Sequence, residues 1–174
     1  SGLDDAGDGG NAEGWDSVRG STFTYDVGAP TATVTTPVDG AYYRAGQLGT
    51  LSGTARDAVS AVKRVELFLT KNGTTFWNGT DWTGLGPLSV STQNAVPGDW
   101  SYNAGGVSWD HNTKYWLWAR AVDLGETGQS TFVVGTSSVS FTYDIGVPTA
   151  AVIVPTDGGY MNNTQMTISG TAQD

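Results

Sequence analysis

TFTYDVGAPTATVTTPVDGAYYRAGQLGTLSGTARD, residues 22–57, returns as SFTYDIGVPTAAVIVPTDGGYMNNTQMTISGTAQD, residues 140–174. FTYD begins at Phe23 and again at Phe141, 118 residues later; SGTA begins at Ser52 and again at Ser169, 117 residues later. The copies align with one residue dropped, and more than half of the aligned positions are identical. Self-similarity at a fixed spacing predicts a tandem array with a period near 118 residues. The chain then reads as a window on that array. Residues 1–26 are the end of one repeat, 27–144 one complete repeat, and 145–174 the first strands of the next.

Within the complete repeat the signals are those of strands. Thr31–Thr36 alternates with Ala32 and Val34 on one face, and Gly49–Asp57 places Leu51, Gly53 and Ala55 together. Val62–Thr70 turns Val65, Leu67 and Leu69 inward. Asn72-Gly73 marks a hairpin returning through Thr75–Trp77 as an edge strand. A short strand near Leu88–Ser91, another over Asp99–Asn103, a long one over Lys114–Asp123 and a closing one over Ser137–Asp144 follow. Seven to nine short strands with turn signals between them predict a β-sandwich, with Tyr115 placed to tie the preceding loop as a tyrosine corner. Residues 1–20 read as a Gly- and Asp-rich loop, and Gly20–Asp26 as the preceding repeat's last strand. Pro30 makes Asp26–Pro30 a short, stiff connector.

Composition narrows the function. A net charge of −9 with eight Lys and Arg disfavours nucleic acid and anionic membrane surfaces, and favours hard cations. With no Cys and one His (His111), thiol chemistry is excluded and a histidine zinc site nearly so. His111 reads as a turn residue. No run approaches the roughly 20 apolar residues of a membrane helix. The carboxylates fall in recurring turns, which argues architecture over a glycosidase pair, and the reading is that the chain is not an enzyme.

Taken together, SGTARD, VKRVELFL, FWNGTDW, DWSYN, KYWLWARAVDLGETGQS and VSFTYDIGVP resemble bacterial immunoglobulin-like tandem repeats of large secreted or cell-surface, adhesin-like proteins. The resemblance covers residues 22–174. It implies an all-β, immunoglobulin-like sandwich, an extracellular or cell-surface location, and partners among neighbouring repeats. One departure is that Asp123–Gln129 (DLGETGQ) lacks the Asn usual in the family's D-x-x-G-N loop.

Carboxylates at the ends of such repeats can gather calcium. The expected ligands are Asp26, Asp57 and Asp123 at one junction, with Asp144 and Asp174 as the equivalent set at the next. Ca²⁺ takes six to eight oxygens, which loops at a sandwich pole supply; the competing reading is that Asp is simply a good turn residue. Trp116 and Trp118 share a strand face with Arg120, opposite the Tyr115 face, and form an expected contact surface. Dense Trp otherwise fills a core, or stacks on sugar rings. Lys63 sits at a strand end, a poor place for an isopeptide donor. The leading functional reading is a non-enzymatic spacer module of a stalk, fibre or adhesin. The alternatives are a filament subunit completed by strand addition between copies, and a glycan-binding accessory module of a secreted enzyme.

Overall fold

The computed structural model describes residues 22–83, 88–90, 98–164 and 167–174. The predicted loop over residues 1–20 lies outside them, as does most of the irregular segment over residues 84–97. In chain order the strands are β1 (Thr31–Thr36), β2 (Tyr42–Tyr43), β3 (Thr50–Arg56), β4 (Val62–Lys71), β5 (Thr75–Phe76), β6 (Leu88–Val90), β7 (Asp99–Asn103), β8 (Thr113–Asp123), β9 (Ser138–Tyr143), β10 (Thr149–Val154) and β11 (Ser169–Gln173). No helix long and apolar enough to cross a membrane occurs among the described residues.

Two sheets make the sandwich. One has the order β1-β3-β7; the other runs β2-β9-β8-β4-β5, with β6 also on β4. Alternation decides what they enclose. Leu51 and Ala55 of the first sheet meet Val65, Leu67, Leu69, Leu117, Ala119, Val139 and Phe141 of the second, all buried. Asn72 and Gly73 have φ of 53° and 73°, the left-handed pair that an Asn-Gly hairpin turn requires. Trp77 and Trp100 are buried, while Trp82 and Trp109 pack against the core from its rim.

Tyr115 is fully buried, and its hydroxyl accepts a hydrogen bond from the Asp110 backbone N–H at 2.7 Å. It is the predicted corner, pinning the turn before β8. Burial, the largest cause, pushes its phenol up to about 12. A phenol raised in the folded state contributes stability below its unfolded value of about 10, and that contribution is lost as pH rises through the folded value. Tyr115→Phe is therefore expected to cost about 1 kcal/mol at neutral pH, one net hydrogen bond. It should also flatten the loss of stability between about pH 10 and 12. Urea denaturation across that range checks both.

β2 escapes sequence reading: two residues, Tyr42 and Tyr43, pair parallel with Thr142 and Tyr143 of β9. Two residues carry no periodicity, and only the long-range partner makes them a strand. The reverse holds for residues 22–26. They are predicted as a strand, but no strand forms there; Phe23 and Tyr25 are 89% and 81% exposed. The same FTYD motif in β9 has β8 along one edge and β2 along the other. Propensity without a neighbouring ladder does not hold a strand.

The sequence repeat is also a structural repeat. β1 pairs β3 from Thr31↔Arg56 to Val34↔Gly53, then slips so that Thr36 faces Ser52. β10 pairs β11 from Thr149↔Gln173 to Val152↔Gly170, then slips so that Val154 faces Ser169. Register and irregularity recur at the equivalent residues. β10–β11 differs in having no second sheet over it among the described residues: Val152 is 70% and Ile168 75% exposed, where Leu51, the equivalent of Ile168, is fully buried.

Candidate cation site

The pole where the chain enters the sandwich collects three strand ends. Thr31 opens β1 opposite Arg56, the last residue of β3, and Asp57 follows at once. Asp123 closes β8 opposite Val62 of β4. Asp26 precedes β1 in the connector. Oxygens of Asp26, Asp57 and Asp123 all lie within 4.8 Å of one another.

Each carboxylate commits one oxygen to its own loop. Asp26 Oδ1 accepts from Gly28 N at 2.8 Å, and Asp123 Oδ1 from Thr127 N at 2.8 Å. Asp57 Oδ1 accepts from Val59 N at 2.8 Å and Ser60 N at 2.7 Å. The Val59 N–H first, then that of Ser60, hold the Asp57 carboxyl below the usual carboxylate range. The second oxygens of Asp26 and Asp123 are buried without a hydrogen-bond partner among the described residues, and Asp123 is wholly buried. Two orphaned carboxylate oxygens inside a cluster of three acids are costly unless a cation fills the space between them. Carboxylate-only donors fit a hard cation such as Ca²⁺ and not a thiophilic metal.

The loop that carries Asp123 is braced twice more. Glu126, at φ 64°, pairs with Lys63 and with Arg64, the latter at 2.8 Å. Hydrogen bonds from Lys63, then Arg64, bring the Glu126 carboxyl down to about 2. Gln129, which stands where the motif lacks its usual Asn, accepts from Ala32 N on β1 at 2.7 Å and donates to Thr131 O at 2.8 Å. That position thus ties the loop to the first strand. Sequence reading had no signal for it, since the contact spans almost the whole domain.

At the second connector Asp144 Oδ1 accepts from Gly146 N at 2.7 Å, repeating the Asp26–Gly28 turn. Asp174 lies on the same side of Gly146. No third carboxylate joins them among the described residues. His111 takes that side instead: its Nδ1 accepts from Ile145 N at 3.2 Å and stands 3.0 Å from Asp144 Oδ1. The predicted turn residue is thus a contact between the sandwich and its outgoing connector. Trp116 and Trp118 lie half-buried on the outer face of β8, as their alternation requires.

A family model described as a bacterial Ig domain matches residues 30–145, from the connector proline to the residue after Asp144. The chain belongs to the bacterial Ig domain family. Ig domains of this kind are typically non-catalytic structural modules, commonly found in extracellular or surface proteins. Among solved structures, an engineered protein is similar at 15% identity and a TM-score of 0.42, over 67% of this chain and 20% of that one. Fibronectin(III)-like modules of Clostridium thermocellum CbhA are similar at 21% identity and a TM-score of 0.38, over 72% of this chain and 52% of theirs. The Ig domain chain thus spans about a fifth of the first and about half of the second. No curated protein matches it.

Proposed function

We propose that the chain is a non-enzymatic repeat module of a long extracellular bacterial protein, a stalk, fibre or adhesin segment. In it, calcium at the Asp26–Asp57–Asp123 pole fixes each module on its connector. The observation that carries this is the recurrence of one antiparallel strand pair, in one register, on the far side of a connector only five residues long, Asp144–Pro148. Short connectors set repeat-to-repeat geometry, and stability then sums over modules and their junctions. Asp144 and Asp174 are the next junction's share of the same ligand set, approached by His111 from the preceding module.

Solution scattering of the full chain over a concentration series, with millimolar calcium or with chelator, tests this. The spacer is expected to keep a constant scattering mass and to lose connector flexibility when calcium is added. No calcium effect removes the cation from the proposal. Mass that grows with concentration overturns the spacer reading.

A further inference from the structure

The outer face of the larger sheet carries a groove of about 480 Å³, within the size range of ligand clefts. Phe68 of β4, Phe76 of β5, Trp118 of β8 and Phe132 line it, with Arg120 at one end. Register puts the rings side by side. Phe68 is the direct cross-strand partner of Trp118, and Phe76 faces Thr70, two residues along from Phe68. Neighbouring strands stand about 4.8 Å apart, so the rings form a track running across the strands. Trp116, on the same face, is covered by the Lys114 ammonium 5.3 Å from its ring and takes no part.

Arg120 is only loosely engaged. Its Nε is buried with no partner among the described residues. Its Nη1 makes a long ion pair with Glu66 Oε2 at 3.6 Å, beyond hydrogen-bonding distance, while Glu66 Oε1 accepts from Arg64 Nε at 3.0 Å. Gly128 lies flat against the guanidinium, and a β-carbon there would collide with it. The Arg120 side chain is nonetheless 41% exposed. No carboxylate lines the groove among the described residues, although the chain as a whole carries −9.

We propose that this groove binds an acidic polysaccharide, a uronate-bearing chain whose rings stack on Trp118 and Phe68 and whose carboxylate pairs with Arg120. Pyranose rings present flat C–H faces to a ring track, and guanidinium grips carboxylate in a two-pronged geometry. A neutral sugar offers no charge to the exposed part of the guanidinium. A protein strand adds to a sheet edge, whereas this groove lies on a sheet face.

The test is affinity electrophoresis of the full chain in chelator, through gels holding polygalacturonate, alginate or neutral hydroxyethylcellulose. Retardation by at least one uronate polymer and none by the neutral one is the expected result. Like charge opposes it, so retention means a specific contact. Trp118→Ala and Arg120→Gln should each weaken binding at least about tenfold, the loss of one charge-assisted hydrogen bond or stacked ring. Trp116→Ala should leave it unchanged. Circular dichroism melts verify folding, and Arg120→Gln, at a half-exposed side chain, carries the test if Trp118→Ala unfolds. Retention on neither uronate polymer overturns the proposal. So do equal retention on the neutral gel, retention by Arg120→Gln equal to wild type, and self-association abolished by Trp118→Ala, which gives the groove to a second copy.

Discussion

Asp123→Asn should raise stability in chelator and lower it, relative to wild type, in calcium. Without a cation the Asp123 carboxylate is wholly buried beside two other acids, with one oxygen bonded to Thr127 N and the other bonded to nothing among the described residues. Asparagine keeps the oxygen that Thr127 uses. It removes the buried charge and offers an N–H to the unpartnered Oδ2 of Asp26. Relief of one unsatisfied buried group is worth about 1–3 kcal/mol. With calcium at a hundredfold excess over its Kd, the wild type gains about 2.7 kcal/mol by linkage. The variant, short of one anionic ligand, gains little. The curves therefore cross, and a mutation that merely damages packing lowers both. Denaturant unfolding of both chains, each in EDTA and in millimolar calcium, decides the matter. Wild-type midpoints that coincide in the two buffers rule out the cation, and a variant weaker in EDTA as well means that the buried carboxylate is satisfied by the fold.

The strands were legible where alternation ran for five residues or more. β3, β4, β7, β8 and β9 fall close to their predicted spans because one face of each is buried along its whole length, and a period of two then has to appear in the sequence. β2 and residues 22–26 mark the limit in opposite directions: Tyr42-Tyr43 is a strand made only by β9, and Phe23–Asp26 is a strand motif without a ladder. At the pole, the repeat itself singled out Asp26 and Asp57, since each recurs at its equivalent position, and the resemblance added Asp123. That their oxygens converge is a property of three strand ends closing the same side of the sandwich, which sequence states only through topology. Lys63, Arg64, Glu126 and Gln129 brace the same loop and were not legible as a set, because what joins them is register between β4 and β8 and the return of the chain to β1. The groove shows the same division. Alternation placed Trp116 and Trp118 on one face, but only the structure separates them, with a lysine over one and, among the described residues, a groove over the other.

Trp100→Ala is expected to cost about 3–5 kcal/mol, the range for deleting a large buried aromatic side chain. Its indole is almost wholly enclosed, lies over Gly53 and donates through Nε1 to Thr33 O at 3.1 Å, so it closes the β1-β3-β7 sheet from the core side. Trp100→Phe keeps a ring and loses that hydrogen bond, and should cost less than the alanine change. Gly53 is the other half of the arrangement. A β-carbon there meets the indole and also the Thr33 carbonyl oxygen, so Gly53→Ala should cost about 1–3 kcal/mol through overpacking. The double variant separates the two collisions. Removing the indole relieves one of the two collisions and leaves the closer one, with Thr33 O, in place, so the pair should be less damaging than the sum of the singles by a small coupling of about 0.5 kcal/mol. Strict additivity in urea denaturation would mean that the glycine serves the backbone approach alone. Gly170 bears on that outcome, because it meets Ala151 O in the way Gly53 meets Thr33 O, with no indole over it among the described residues. The glycine of SGTA is thus required by the strand pair in both copies, and Trp100 occupies the space that this requirement leaves open.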